Sequence, residues 1–164
     1  MSKLIMMIGV PGSGKSTYIK EHKSEFDAVV SRDAIRFALL KDGEDYFAHE
    51  DEVIKIFIES IIAALKDGAT VWVDATHLNK KSRANVLDKV AQFADEIEAV
   101  WIDVPLETAF SQNDKREGRA WVKHGIIRRM WFSMEVPEFD EGFDKIIRVR
   151  KGLTVITRKE KEDI

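Results

Sequence analysis

A glycine-rich segment near the start of the chain constrains the fold more than any other feature. Residues 9–16 read GVPGSGKS, which matches the pattern G-x-x-x-x-G-K-[ST] without a mismatch. Residues 4–8 form an apolar run typical of a buried strand, and residues 17–21 continue without a helix breaker. A strand, a glycine loop and a helix in this order are the setting in which the pattern forms a phosphate-binding loop. The alternative is a glycine-rich turn with a solvated lysine.

The chemistry of this segment suits a nucleoside triphosphate. Its three glycines lack a Cβ atom, so the loop can curl and turn its N–H groups inward, beside the positive end of the following helix. Lys15 is predicted to reach the β- and γ-phosphates, and the Ser16 hydroxyl is predicted to ligate Mg²⁺. The predicted contacts to ATP, or to another nucleoside triphosphate, are Gly9, Pro11, Gly12, Ser13, Gly14, Lys15, Ser16 and Thr17.

The composition excludes several other classes of protein. The chain has 164 residues, of which 45% are hydrophobic, and this suits one domain with its own core. It contains 0 cysteines, which excludes disulfide frameworks and thiolate chemistry. No run of about 18 apolar residues could span a membrane, and the first residues lead into a strand rather than a signal peptide. We therefore expect a cytoplasmic enzyme with no membrane partner.

Charge is distributed unevenly along the chain. The net charge of −3 argues against tight non-specific binding of nucleic acid, although a local cluster of cations is enough to contact a few phosphates. The clustered cations are Lys80, Lys81 and Arg83, and then Lys115, Arg116, Arg119, Lys123, Arg128 and Arg129. The alternative is solvated surface charge without a ligand.

Short apolar runs alternate with helical patterns along the rest of the chain. Strands are predicted at residues 4–8, 28–30, 70–74, 97–103, 143–150 and 153–157, the last two joined as a hairpin. Helices are predicted at residues 32–40, 53–65 and 126–134, and after Asn79 and Pro105. This order predicts an α/β fold of three layers, with a central, mostly parallel sheet flanked by helices. Residues 1–157 are predicted to form the domain, and residues 158–164 a short charged tail.

Two aspartates directly follow predicted strands, at the edge of the sheet where such folds bind ligands. Asp33 lies in the segment SRDAIR, where it could cap a helix or accept a proton from an attacking hydroxyl. Arg36, on the neighbouring turn, could hold a phosphate of the acceptor. Asp74 ends an apolar strand, as a Walker B carboxylate does, and would face either the Mg²⁺ shell or the acceptor hydroxyl.

Two cationic segments are candidates for binding anions. Residues 79–83 read NKKSR, and cations at a helix start oppose the helix dipole, which favours a nearby anion such as a polynucleotide backbone. The alternative is that these long side chains bend into water. Residues 113–119 read NDKREGR, which is typical of a glycine-hinged lid that could bring an arginine onto a transferring phosphoryl group. The alternative there is a charged helix end; the predicted lid covers residues 113–124.

These motifs, taken in order, resemble the phage-type polynucleotide 5′-hydroxyl kinase domain, within a wider AAA_33-like group of small P-loop kinases. The resemblance rests on the segments GVPGSGKSTY, SRDAIR, VDATHLNKKSR, VPLETAFSQNDKREGR and VPEFDEGFDKI. It implies a P-loop kinase fold, with Asp33 as the general base for the 5′-hydroxyl and Arg36 on the adjacent phosphate. It also implies that Arg116 lies on the transferring phosphate, with Arg119 as a second candidate. The predicted acceptor contacts are Arg32, Arg36, Asp74, Thr76, Asn79 and Arg83, and the predicted metal ligands are Ser16 and Asp74.

The chain departs from this family at two positions. Gln112 precedes Asn113 where the family often has arginine, so a side chain that helps to hold the donor is missing or replaced. His77 replaces the asparagine of a DATN motif, and we expect a solvated or packed histidine there more than a substrate contact. The length leaves no room for a phosphatase or ligase domain, so we expect kinase activity alone.

Three hypotheses for the function follow from the sequence. The first is an ATP–Mg²⁺-dependent kinase whose partner is the 5′-hydroxyl end of DNA or RNA. The second keeps this chemistry but replaces the acceptor with a nucleoside, a sugar or another small molecule. The third is a nucleotide-binding module without an acceptor. The sequence leaves open the choice of DNA or RNA, the donor base and the oligomeric state.

Overall fold

The computed structural model describes residues 1–160 of the chain. Its strands are β1 (Lys3–Ile8), β2 (Ala28–Ser31), β3 (Thr70–Asp74), β4 (Glu96–Ile102), β5 (Lys145–Arg150) and β6 (Leu153–Arg158). Its α-helices are α1 (Lys15–His22), α2 (Arg32–Leu39), α3 (Glu50–Lys66), α4 (Lys80–Val90), α5 (Leu106–Asn113) and α6 (His124–Ser133). Short 3₁₀ turns lie at Ala91–Phe93, Gly118–Ala120 and Phe139–Glu141.

The strands form one sheet in the order β2-β3-β1-β4-β5-β6. All neighbours pair in parallel except β5 and β6, which are antiparallel. The turn between them has Lys151 at φ 41° and Gly152 at φ 77°, the pair of positive φ angles that a two-residue hairpin turn favours. The predicted fold class, a mostly parallel sheet between helices, is confirmed.

Helices cover both faces of the sheet because the side chains of a strand alternate between its faces. On one face Leu4, Met6 and Ile8 of β1 pack with the apolar sides of α3 and α4. On the other face Ile5 and Met7 pack with α1. A third cluster joins α5 and α6 to Val10 in the phosphate loop. This packing fixes the glycine loop between the sheet and α5.

The predicted elements agree with the observed ones to within a few residues. The predicted helix over residues 53–65 starts earlier, at Glu50, and Gly68 follows its end with φ 77°. The predicted tail began at residue 158, whereas Arg158 belongs to β6, and residues 161–164 lie outside the described residues. Among residues 1–160, no helix is long and apolar enough to cross a membrane.

Candidate active site

The phosphate loop depends on its glycines for steric reasons. A Cβ atom on Gly9 would lie 2.6 Å from the Ser13 hydroxyl oxygen, and one on Gly12 would lie 2.5 Å from the Ala109 carbonyl oxygen. Gly12 and Gly14 have φ angles of 81° and 104°, in the left-handed region. Gly14 is the N-cap of α1 and offers no capping side chain, so the first N–H groups of the helix point toward the loop. This backbone cradle fits a triphosphate.

Lys15 lies in the middle of the cradle. Its ammonium donates hydrogen bonds to the carbonyl oxygens of Gly9 and Val10, each at 3.0 Å. Burial away from water lowers the pKa of Lys15 to about 8, because a desolvated ammonium is less stable than a neutral amine. Bound anionic phosphates would therefore strongly stabilise the charged form of Lys15.

Three charged side chains predicted from separate motifs lie close enough to Lys15 to shift its pKa. After desolvation, the largest influences on the pKa of Lys15 come from Asp74, which raises it, from Arg116, which lowers it, and from Asp33, which raises it. These residues come from the end of β3, the segment after α5 and the start of α2. The fold therefore brings together two carboxylates and two cations that are far apart in sequence.

Ser16 and Asp74 form the predicted metal pair. The Ser16 hydroxyl donates a 2.8 Å hydrogen bond to Asp74 Oδ2, across the gap between α1 and β3. A hydroxyl and a carboxylate are hard oxygen ligands, and Mg²⁺ is held by few protein groups together with water and substrate phosphates. Among residues 1–160, no group of three or more His, Cys, Asp or Glu residues could hold a metal by itself. The pair fits Mg²⁺ held jointly with phosphates.

Asp33 lies at the start of α2 and is free of helix capping. Ser31 is the N-cap, because its hydroxyl accepts a 3.2 Å hydrogen bond from the N–H of Ala34. The capping alternative for Asp33 is therefore wrong. Its side chain is 45% exposed, and its Oδ1 atom accepts hydrogen bonds from Arg36 Nη1 at 2.5 Å and from the Tyr46 hydroxyl at 2.7 Å. This exposure leaves the carboxylate accessible from solvent.

Arg36 is enclosed rather than presented to solvent. Its guanidinium makes a two-pronged pair with Glu50, with hydrogen bonds of 3.0 and 2.6 Å. Nη1 also donates to the Tyr46 hydroxyl at 2.7 Å. Burial lowers the pKa of Arg36, but the hydrogen bond to Glu50 together with the charges of Tyr46, Glu50 and Asp33 outweighs burial, so the pKa is raised overall. In this arrangement Arg36 orients Asp33, and a phosphate of the acceptor would have to compete with Glu50.

Tyr46 and Glu50 are site residues that sequence reasoning missed. Tyr46 hydrogen-bonds Asp33 directly, and burial together with that carboxylate raises the pKa of Tyr46 to about 12. Tyr46 lies in the loop before α3 and Glu50 in the first turn of that helix, and this stretch has no recognisable motif. The available signal was weak: an aromatic and an acidic residue between two predicted helices.

Several predicted acceptor residues have structural partners. Arg32 stacks over the ring of Phe57, with 4.7 Å from Cζ to the ring centroid. The Thr76 carbonyl accepts a 3.0 Å hydrogen bond from the N–H of Gly9, which fixes the start of the loop. Asn79 is the N-cap of α4, and its Oδ1 accepts a 2.7 Å hydrogen bond from the N–H of Ser82. The helix predicted after Asn79 is therefore confirmed, with Asn79 as its cap.

Arg83 requires a correction. Its side chain is 0% exposed, and it pairs with Glu141 through hydrogen bonds of 2.7 and 3.2 Å. Its Nη1 atom also donates to the carbonyl oxygens of His77 and Glu135. Arg83 ties α4 to the turn before β5, so a contact with substrate does not fit its position. Lys80, one turn earlier, pairs with Glu138 at 2.6 Å, and the anion predicted for this segment is supplied by the protein itself.

His77 is packed inside the protein. It is 2% exposed, and its Nδ1 atom lies 2.7 Å from the Met7 carbonyl oxygen. Burial lowers the pKa of His77 to about 3, so the ring is neutral at physiological pH. The packed alternative predicted for this histidine agrees with its position.

The segment after α5 is held at both ends. Buried Asn113 exchanges hydrogen bonds with the backbone of Val122, at 2.7 Å from Nδ2 and 3.0 Å to Oδ1, and we call this pairing the 113–122 clip. Arg119 donates a 2.9 Å hydrogen bond to the Lys41 carbonyl. Gln112 lies against the phosphate loop, with Oε1 3.5 Å from the position of a Cβ on Gly14. A polar amide therefore stands where the family often has arginine.

Comparison with known proteins assigns the chain to a family. The chain belongs to the AAA_33 family, described as an AAA domain, whose model matches residues 4–137. It is 33% identical over 143 residues to a candidate bifunctional polynucleotide kinase/RNA ligase of Autographa californica nuclear polyhedrosis virus, and 26% identical over 149 residues to transcription factor bHLH140 of Arabidopsis thaliana. The matches cover 79% and 88% of this chain, but only 20% and 15% of those proteins.

Solved structures share the fold. A chain of the Pnkp1/Rnl/Hen1 RNA repair complex matches with a TM-score of 0.71 and 27% identity, over 80% of this chain and 43% of that one. The Mycobacterium tuberculosis APS kinase CysC, solved with AMPPNP and APS, matches with a TM-score of 0.61 and 21% identity, over 92% of this chain and 88% of that one. The architecture is that of P-loop kinases.

Proposed function

We propose that this chain is a kinase that uses ATP and Mg²⁺ to phosphorylate the 5′-hydroxyl end of DNA or RNA. The observation that carries the proposal is the convergence of Asp33, Asp74 and Arg116 on Lys15. A phosphate-binding loop alone would suit any nucleotide-binding module. A half-exposed carboxylate beside the loop, fixed by Arg36 and Tyr46, adds what transfer to a hydroxyl needs.

On the donor side, the loop amides and Lys15 would hold the β- and γ-phosphates. Ser16 and Asp74 would hold Mg²⁺, which when bound would offset the charge of those phosphates. Arg116 would stabilise the charge of the transferring phosphoryl group in the transition state, with Arg119 as a second cation further along the same segment, which would act as a lid.

On the acceptor side, Asp33 would orient the 5′-hydroxyl and take its proton. A bond forms between the 5′-oxygen and the γ-phosphorus, while the bond from that phosphorus to the β–γ bridging oxygen breaks. The proton passes to Asp33, and ADP is the leaving group. Arg36 and Tyr46 would hold Asp33 in position through their hydrogen bonds, so Arg36 would act as a positioning residue.

The choice of a polynucleotide acceptor draws on the relatives. The viral protein is described as a polynucleotide kinase/RNA ligase, and the structure matched with a TM-score of 0.71 belongs to an RNA repair complex. A second candidate acceptor is a small-molecule alcohol, because this chain spans 88% of the APS kinase but 43% of the RNA repair chain. Size and fold are its only support.

An acceptor panel tests the proposal. Purified protein is incubated with labelled ATP or GTP and with 5′-hydroxyl DNA, 5′-hydroxyl RNA, nucleosides, sugars or adenylyl sulfate. We expect label on the oligonucleotides. Label on small molecules alone would support the second candidate instead, and nucleotide binding without label on any acceptor would leave only the nucleotide-binding module.

The same assay examines Asp33. Asp33→Asn keeps the size of the side chain but removes its basicity, so we expect turnover to fall by about 10²–10⁴-fold with unchanged ATP affinity. Asp88→Asn, on the exposed side of α4, is the matched control and should leave turnover unchanged. Near wild-type turnover by Asp33→Asn would remove Asp33 from the mechanism.

A further inference from the structure

An exposed aromatic ring lies beside the proposed general base. Phe47 is 63% exposed, although the loop around it is otherwise polar, with the sequence DGEDYFAHE at residues 42–50. Its ring meets that of Tyr46 edge to face, with centroids 4.8 Å apart. Since the Tyr46 hydroxyl donates a hydrogen bond to Asp33, Phe47 is linked to the carboxylate through a single intervening ring.

Phe47 is held in place by its loop. The Phe47 N–H donates a 3.2 Å hydrogen bond to Asp45 Oδ2, and the N–H of Ala48 donates one of 3.0 Å to the Asp45 carbonyl. Glu44 pairs with His49 at 2.8 Å across the same loop. A ring that is already ordered loses little further freedom when a ligand stacks on it.

The charges around Phe47 favour a base over a phosphate. The guanidinium carbon of Arg36 lies 4.4 Å from the Tyr46 centroid and 5.9 Å from the Phe47 centroid, but this cation is paired with Glu50 and is not free to attract a phosphate. The loop also carries Asp42, Glu44 and Asp45, which would repel a phosphate backbone running along it. A flat, neutral base does not meet this repulsion, and every base has a face that can stack.

We infer that Phe47 is the stacking surface for the terminal base of the acceptor, so that the protein takes polynucleotide ends whose first base is unpaired and accessible. The inference rests on the proposed function and adds the part of the substrate that is recognised beyond the hydroxyl. Stacking does not read sequence, so ends with any of the four bases are expected to serve.

The experiment compares two acceptors that differ only in the base. One is a single-stranded 5′-hydroxyl oligonucleotide, and the other is the same oligonucleotide with an abasic terminal nucleotide. For the wild type we expect KM to be about 5- to 100-fold higher for the abasic end, from the usual effect of losing one stacked base. Phe47→Ala should raise KM for the normal end to the abasic value, and Phe47→Trp should restore the difference.

Phe26→Ala is the matched control. Phe26 is 85% exposed and lies before β2, at the amino end of the strand and away from the site. The Phe26→Ala variant should leave both KM values and the ATP affinity unchanged. Wild-type KM values for both acceptors in Phe47→Ala would overturn the inference. An equal rise in KM for both acceptors would assign Phe47 to supporting Tyr46, which overturns the inference too.

Failure of the proposed function would look different. The wild type would then label neither oligonucleotide, whatever the residue at position 47, and the inference would fall with it. If instead the wild type labels normal and abasic ends equally well, the polynucleotide acceptor stands and only the stacking surface is refuted.

Discussion

The two halves of the site are built in different ways. On the donor side, the phosphate loop offers mainly backbone N–H groups, and its shape is set by glycines within eight consecutive residues, 9–16. On the acceptor side, Asp33 is held by the side chains of Arg36 and Tyr46, and Arg36 is held in turn by Glu50. The donor half is therefore encoded locally, whereas the acceptor half depends on how α2, the following loop and α3 pack together.

The largest effect is expected where the two halves meet. Arg116→Ala should lower turnover by about 10³–10⁵-fold, the usual contribution of an arginine on a transferring phosphoryl group, with little change in the binding of either substrate. Single-turnover kinetics separate these steps. Lys115→Ala removes the adjacent exposed cation and is the control; a comparable loss there would mean that general positive charge, not Arg116, is required.

The acceptor half should respond to loss of one hydroxyl. Tyr46→Phe removes the 2.7 Å hydrogen bond to Asp33 but keeps the ring. Because hydrogen bonds to charged groups contribute about 1.5–3 kcal/mol, we expect turnover to fall by about 10- to 100-fold with unchanged KM for ATP. Steady-state kinetics with each substrate varied in turn would measure this. A rise in KM for ATP would contradict the separation of the two halves.

The donor half should respond to one added methyl group. Gly12 and Gly43 both have φ 81°, but a Cβ on Gly12 would lie 2.5 Å from a backbone oxygen, whereas one on Gly43 meets nothing within 4 Å. Each alanine variant bears the left-handed cost of about 1–2 kcal/mol. Gly12→Ala should lose about a further 1–3 kcal/mol of unfolding free energy from overpacking and bind nucleotide more weakly.

Urea denaturation and nucleotide titration of both variants measure these losses. Equal stability and equal nucleotide affinity of Gly12→Ala and Gly43→Ala would show that the loop adjusts freely against α5. The donor half would then be less rigid than its close packing indicates.

The smallest expected effect is the pH dependence of nucleotide binding. Lys15 has a pKa of about 8 in the free protein, and bound phosphates favour its charged form, so nucleotide binding above pH 8 should take up a proton. Affinity should then fall as the pH rises, by at most about tenfold per pH unit. Calorimetry between pH 8 and 9.5, in buffers of different ionisation enthalpy, measures the uptake.

Lys15→Arg is the control for this titration, because a guanidinium stays charged over the whole range. The variant should bind nucleotide without proton uptake from this position. Uptake of the same size in wild type and variant would place the titrating group elsewhere in the site.

The contrast between the halves also explains how much could be predicted from the sequence. The glycine loop and the order of strands and helices follow from local motifs and periodicity, and both agree with the structure. Ser16 and Asp74, each predicted from its own motif as a metal ligand, lie in hydrogen-bond contact. Arg83 was assigned to substrate because its neighbours are cationic, but its partner Glu141 lies 58 positions away. No local pattern records such a pairing. Tyr46 was missed for the same reason, since only packing brings it to Asp33.

The 113–122 clip has a consequence for engineering this protein. Because Asn113 and the backbone of Val122 close the segment at its base, the intervening residues need not hold their own ends together. Lengthening a closed loop is entropically inexpensive, at about 0.6 kcal/mol for each doubling of its length. The segment of residues 114–121 could thus be lengthened by insertion without disturbing α5 and α6, provided that Arg116 and Arg119 are kept.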